Sequence, residues 1–593
     1  MRVDAAVMVV VALLQVAPRE EKLRRTYESN KVSAPVAAGH ASAPGVAPTQ
    51  RSSAEDLRDA SVAGLALTFE EVPAFPEKTY FGGATKDHIL EFGGAGVALL
   101  DYNADGLLDV YIVNGTELSK ARKPIAHRNI LYKNLGNWKF ENVSRAAGVD
   151  VAAWGAGVCA GDYNGDGHLD LYVTNFGTNL LFRNNGDGTL TEAGRAAGLN
   201  LDGWSTGCSF LDAGGDGNLD LYVARYLTTS WHDVRATPKQ TLLWRGGPMV
   251  MAGPQGLPPA ADVFFHNEGN GRFRDQTSWL GLKPGRAAHG FGVLTADFNA
   301  DGWVDIFVAN DSDPNYLFRN RGNGKFDEVG VESGVAFNAD GRAQAGMGAG
   351  AGDFDGDGRL DIAVTNFAHD NNTLYRNLGS DGFEDVSEAS GLKARTFERL
   401  GWGVAFFDAD RDGLQDLFFA NGHIYPQVDE FPQLKESYHQ RNQLLKNRGG
   451  HFIDVSEAAG NGLSGLKSHR GLAVGDLDND GRQDLVVTSI DGAPTVLRNR
   501  TETGNHWVSL QLVCKRPNAF CIGASVRINA GGKRQIQEIR SGGSYVSQSD
   551  LRLNFGLGAH SGKIDVEVVL PGGTVRAWRG VDTDRFVVLR LDR

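Results

Sequence analysis

Cysteine is nearly absent: four residues in 593 are too few for a disulfide framework. Cys514 and Cys521, in CKRPNAFC, are near enough to close a small loop in an oxidising compartment, whereas Cys159 and Cys208 lie in apolar strand patterns and read as buried thiols. Enzyme motifs are missing as well. There is no HExxH, G-x-S-x-G or P-loop, and GMGAGAG (346–352) leads into a strand rather than a phosphate-binding helix. The sequence therefore assigns no catalytic residue. Positive charge is short, 59 Lys+Arg against 72 Asp+Glu for a net −13, which argues against a nucleic-acid or anionic-membrane partner.

Long apolar runs are also lacking. The one candidate, Ala5–Leu14 after Arg2, is too short to span a membrane and resembles the core of a secretory signal peptide, assigned to residues 1–17. Residues 18–64, rich in Ala, Pro and Ser, read as a flexible linker. The expectation is a chain that is secreted, periplasmic or on the cell surface, with no integral membrane segment once mature.

What the sequence has in excess is glycine, 77 residues, and one acidic motif repeated seven times, D-x-[D/N]-x-D-G-x-x-D. The copies begin at Asp101, Asp162, Asp212, Asp297, Asp353, Asp408 and Asp476. Each sits between two short apolar runs, and a third run ending in RN or KN and a fourth of the type KFENV follow. Four short strands per repeat, seven times over, predict an all-β fold: a seven-bladed β-propeller over residues 65–503. The seventh repeat lacks its fourth strand, and LTFEEV (67–72) has none of its own repeat, so this N-terminal strand is expected to complete blade seven. Residues 504–593 form a separate, small, β-sandwich-like domain.

Calcium takes six to eight oxygen ligands, and a loop with side chains at positions 1, 3, 5 and 9 and glycine at 6 delivers them. The expected ligands are Asp101, Asn103, Asp105 and Asp109; Asp162, Asn164, Asp166 and Asp170; Asp212, Asp216 and Asp220; Asp297, Asn299, Asp301 and Asp305; Asp353, Asp355, Asp357 and Asp361; Asp408, Asp410, Asp412 and Asp416; and Asp476, Asp478, Asp480 and Asp484. A hairpin turn alone needs neither the first nor the ninth aspartate. The loops at 353, 408 and 476 carry four carboxylates, and the loop at 212, with Gly214 at position 3, should be the weakest of up to seven Ca²⁺ sites. Seven Ca²⁺ would bring −13 to about +1.

These loops resemble the FG-GAP/VCBS repeats of calcium-binding propellers, as in the heads of integrin α chains. The tail segments HWVSLQLV (506–513), CIGASVRI (521–528), YVSQSDLRLNFGLG (545–558) and IDVEVVLPGGTV (564–575) are similar to the ASPIC/UnbV domain that follows such propellers in the cartilage acidic protein-like family. The resemblance covers roughly residues 65–590 and implies calcium, secretion and cell adhesion more firmly than chemistry. Related proteins often carry a cysteine pair in the blade-three insertion; LWRGGPMVMAGPQGLP (243–258) has none.

The calcium loops mark one face of the propeller, so a partner is expected at the other, where strand one begins and strand two ends. The candidate binding residues there are Trp154, Trp204, His289, Asn310, Asn366, Arg399, Asn421, His423 and Arg470, flanked by insertions at 227–262 and 421–443. The reading is a secreted adhesion or ligand-binding module for a polar extracellular partner, glycan or protein. Two alternatives stand beside it: an extracellular lyase or isomerase using His289, Arg399, His423 and Arg470 as an axial cluster, and a propeller scaffold whose C-terminal domain does the recognition.

Overall fold

The computed structural model describes residues 67–118, 123–236, 241–283 and 285–591. The proposed signal peptide, and the proposed linker with it, lie outside the described residues. Seven four-stranded antiparallel sheets follow one another along the chain. Their first strands are Val97–Leu100, Trp154–Gly161, Ser205–Leu211, Gly290–Ala296, Ala349–Gly352, Gly401–Phe407 and His469–Gly475. Each first strand lies beside that of the next blade, and the last lies beside the first, so the sheets close into a ring. The edge problem of an open sheet is thereby removed.

Blade seven takes its outer strand from the other end of the described chain. Phe69–Val72 pairs antiparallel with Thr495–Asn499, Phe69 opposite Asn499 and Val72 opposite Val496. Phe69 is fully buried in a cluster with Phe407, Leu463 and Leu497.

A sevenfold glycine sits five residues before each loop: Gly96, Gly157, Gly207, Gly292, Gly348, Gly403 and Gly471. A Cβ at Gly207 would collide with the backbone oxygen of Phe291, and one at Gly348 with that of Trp402, each on the first strand of the next blade. Glycine here serves close approach between blades rather than a turn.

The C-terminal residues form two sheets. One joins Leu553–Gly558, His506–Val513 and Arg585–Arg590; the other joins Lys533–Glu538, Ser525–Ala530, Ile564–Val569 and Val575–Val581. They share one hydrophobic cluster with Tyr172, Leu181, Phe210 and Leu221 of the propeller. Propeller and tail belong to one compact unit.

The cysteine reading needs correcting at one pair. Cys159 and Cys208 are bonded, not free, and tie the first strands of blades two and three together with Cα atoms 5.8 Å apart. Apolar surroundings at both positions hid this, because the partners meet only when the ring forms. Cys514 and Cys521 are also bonded.

Candidate functional site

Each acidic loop is built by the same hydrogen bonds. The first aspartate accepts from the backbone N–H groups of positions 5 and 6: Asp162 from Asp166 at 3.0 Å and Gly167 at 2.7 Å, Asp476 from Asp480 at 3.1 Å and Gly481 at 2.7 Å. The ninth begins strand two and, in the six loops other than that at 212, accepts from two directions. Asp361 Oδ2 takes the Phe354 N–H at 3.1 Å, and Oδ1 takes the Asn377 N–H at 2.8 Å.

That asparagine ends strand three in every blade: Asn134, Asn184, Asn267, Asn320, Asn377, Asn447 and Asn499. Its amide donates backwards to the loop of the preceding blade, as in Asn377 to Phe298 O at 2.7 Å and Asn134 to Leu477 O at 2.9 Å. The seven asparagines thus lace the loops into a ring. The sequence displayed them in the recurring RN and KN, but spacing alone gave them no role.

The loops gather charge that burial does not tolerate. Loss of solvent pushes Asp109 and Asp361 up to about 8 and Asp162, Asp297 and Asp353 up to about 6, with neighbouring carboxylates adding to the rise and backbone donors opposing it. Burial thus opposes the charge on these carboxylates, most strongly at Asp109 and Asp361; a cation among them would offset that cost, and an all-oxygen donor set suits a hard divalent one. Three clusters bring carboxylate oxygens within 4.8 Å of one another: Asp353, Asp355 and Asp357; Asp408, Asp410 and Asp416; and Asp476, Asp478 and Asp484. In the loop at 212, Gly214 offers no side-chain ligand, and the His266 ring lies 2.9 Å from Asp220.

The opposite face differs from the expectation. Of the nine residues placed there, Trp154, Trp204, His289, Asn310, Asn366, Asn421, His423 and Arg470 are buried, and only Arg399 is partly exposed. Three segments cover them. Phe92, from the N-terminal approach, packs 6.0 Å from Trp402; Trp231 of the first insertion lies 5.5 Å from Trp154; and Trp244 lies 5.5 Å from Tyr425. The two insertions meet at Glu436, whose side chain is inaccessible. It accepts from Trp244 Nε1 at 2.8 Å, pairs with His369 at 2.8 Å, and lies 3.1 Å from His423 Nε2, off the line of a good hydrogen bond. Burial opposes its charge, but His423 and Trp244 outweigh this and hold its carboxyl below the usual range.

From the loop face the channel is filled by the tail. Arg540–Asp550 runs inside the ring and bonds to six of the seven first strands: Gln548 N to Val97 O at 2.8 Å, Val158 N to Val546 O at 3.1 Å, Ser209 Oγ to Ser541 O at 2.7 Å, Ala349 N to Ser544 O at 2.9 Å, Val404 N to Ser544 Oγ at 3.1 Å, and Asp550 N to Val474 O at 3.0 Å. Tyr545 crosses to the far side, 4.8 Å from Trp402, and its hydroxyl accepts from Gly94 N at 3.2 Å. The cavity left beside it is about 10 Å³, room for about one water.

The proposed axial cluster does not assemble around an open space. His289 pairs with Asp313 at 2.8 Å, and His423 faces Glu436. Arg470 donates to Phe92 O at 2.8 Å and His469 O at 2.7 Å with its guanidinium 4.0 Å over the Trp402 ring. Spacing placed these residues at the correct end of the strands; it could not show that insertions and tail would close over them.

With this geometry in place, the comparisons fix the class. The FG-GAP-like repeat family matches residues 101–173, 162–223, 250–308, 297–364 and 353–419, and the ASPIC and UnbV family matches residues 514–592. The chain belongs with the FG-GAP-repeat propellers that end in an ASPIC and UnbV domain. It is similar to cartilage acidic protein 1 of Mus musculus, 28% identical over 48% of this chain and 42% of the relative, and to that of Homo sapiens, 27% identical over 48% and 41%. The match thus spans less than half the length of these relatives. Among solved structures, an Agrocybe aegerita lectin recognising non-reducing terminal N-acetylglucosamine is 18% identical over 70% of this chain and 92% of its own, with a TM-score of 0.34. Among the described residues no helix is long and apolar enough to cross a membrane.

Proposed function

We propose that this protein is a secreted, calcium-binding adhesion or ligand-binding module for an extracellular glycan or protein. The observation that carries it is the repeated loop of buried carboxylates, held in register by the asparagine ring, in a chain whose cysteines are all bonded. A bound cation would offset the burial that opposes the charge on these carboxylates. Extracellular modules of this kind bind calcium at roughly 10⁻⁴ to 10⁻³ M, a range that only an extracellular setting fills.

The reading in which the C-terminal domain does the recognition is favoured by a specific feature. A groove of about 430 Å³ opens between Gly356–Gly358 of the blade-five loop and the tail sheet carrying Arg527, Arg534 and Arg579. Asp357, Asp565 and Glu567 line it as well, with Arg579 paired to Asp565 at 2.7 Å and Arg527 to Glu567 at 3.5 Å, so Arg534 is the arginine here that would meet an anionic group of a glycan or protein segment. On the opposite face the predicted partner residues other than Arg399 are buried, and the wider cavity there, about 760 Å³, lies off them, beside Tyr80, Asn114, His127 and Arg128 of blade one.

A screen of glycans and matrix proteins against the full chain, with calcium and with EDTA, tests the proposal. Calcium-dependent binding that Arg534→Glu reduces at least tenfold is expected. Binding that ignores both calcium and this substitution would remove the groove reading. If millimolar calcium leaves the unfolding midpoint where EDTA sets it, the loops are not calcium sites.

A further inference from the structure

One loop already holds a cation of its own. The residue before the strand-three asparagine is basic in all seven blades: Lys133, Arg183, His266, Arg319, Arg376, Lys446 and Arg498. Where these side chains reach their loops, most touch one carboxylate. Lys133 Nζ is 3.3 Å from Asp105, and Arg498 lies 2.9 Å from Asp478.

Lys446 differs. Its Nζ lies 2.8 Å from Asp410, 2.8 Å from Asp412 and 3.2 Å from Asp416, and its side chain is 1% exposed. These are positions 3, 5 and 9 of the loop, and the Asp408 charge at position 1 acts on the same ammonium. Three N–H donors thus meet three carboxylates at hydrogen-bonding distance. Asp410 and Asp416, two of the oxygens a metal would gather in this blade, are already engaged.

We infer that blade six carries its cation covalently: the Lys446 ammonium occupies the centre of the 408–416 loop, which takes no calcium. For a metal to enter, this ammonium would have to leave its buried partners, and a buried charge without partners is costly. The inference rests on the calcium reading of the other loops and corrects the sequence expectation that ranked 408–416 among the best three.

This loop also meets the tail. The connection from propeller to tail lies on it: Thr503 Oγ1 donates to Asp410 O at 3.1 Å, Asn505 Nδ2 to the same oxygen at 2.9 Å, and Gly558 N to Arg411 O at 2.9 Å. The tail also reaches other loops, Gly572 N donating to Gly302 O at 2.9 Å and Arg552 to Asn479 Oδ1 at 2.8 Å, so the 408–416 loop is the one tail contact whose charge Lys446 balances from within the chain.

The test counts calcium on the full chain, stripped with chelator and reloaded, by native mass spectrometry and calorimetry. Asp357→Asn, in blade five, should lose one calcium, Asp412→Asn should lose none, and Lys446→Met should gain one. Loss of one calcium in Asp412→Asn, or no gain in a folded Lys446→Met, would overturn the inference. Unfolding in EDTA supplies a readout independent of metal: Lys446→Met should lower the midpoint by several degrees, and adding Asp412→Asn should restore part of it. If neither wild type nor Asp357→Asn binds calcium, the wider calcium reading fails while this thermal comparison still decides the place of Lys446; an unchanged midpoint in Lys446→Met then overturns it.

Discussion

His469 shows what complete burial does to a titratable side chain in this fold. Its Nδ1 lies 3.1 Å from Asn421 O, so this ring nitrogen carries the proton and donates it to the carbonyl. Burial first, then the Lys467 and Arg470 charges, hold its pKa down at about 3. In the unfolded chain it titrates near 6.5. Between those values the unfolded state binds the extra proton, so stability falls as the pH drops from about 6.5 towards 3 and is unaffected above that window. His469→Gln should flatten this acid limb in a series of unfolding midpoints; an unchanged slope would refute the assignment. The same contrast explains which site residues were legible. The loop aspartates declare themselves by spacing because the members of each loop lie within nine residues of one another. Glu436 and Lys446 do not, because His423 and His369 reach the first, and the loop carboxylates the second, only once the insertion folds back and strands two and three of the blade pair.

Strands one and two of each blade were readable because an apolar run, an acidic turn and another apolar run recur in fixed order. The pairing of Cys159 with Cys208 was not, since nothing in two separate apolar runs says that they lie side by side. That bond closes 49 residues, and a cross-link of this kind stabilises by about 2–4 kcal/mol, chiefly by restricting the unfolded chain. Cys159→Ser with Cys208→Ser should therefore lower the unfolding midpoint under oxidising conditions, while wild type treated with reductant should approach the double variant. Equal midpoints before and after reduction would show that the bond does not form. The inner glycines belong here too: their periodicity was visible, but its reason is contact with the following blade.

The ring and its tail act as one body, because Arg540–Asp550 occupies the channel that the first strands surround. Replacing Tyr545 by Ala removes a buried aromatic from between Trp402 and Phe291, a change that costs about 3–5 kcal/mol. The variant should unfold earlier and expose apolar surface to a reporter dye, whereas full retention of the wild-type midpoint would show that the plug is dispensable. Truncation after residue 503 should have a larger effect, leaving unbonded the inner-strand groups that now pair with the plug; a soluble, equally stable truncation would refute this. By itself the sequence determined the all-β repeat, the acidic loops and their order, and the tail's kinship, because each is written in residues close together in the chain. Only the tertiary structure decided that the predicted partner residues of the axial face, Arg399 apart, are buried, that a groove beside the tail brings Arg534 next to the blade-five loop, and that Lys446 lies among the carboxylates of one loop. Those depend on insertions, tail and neighbouring blades converging in space, which local spacing does not encode.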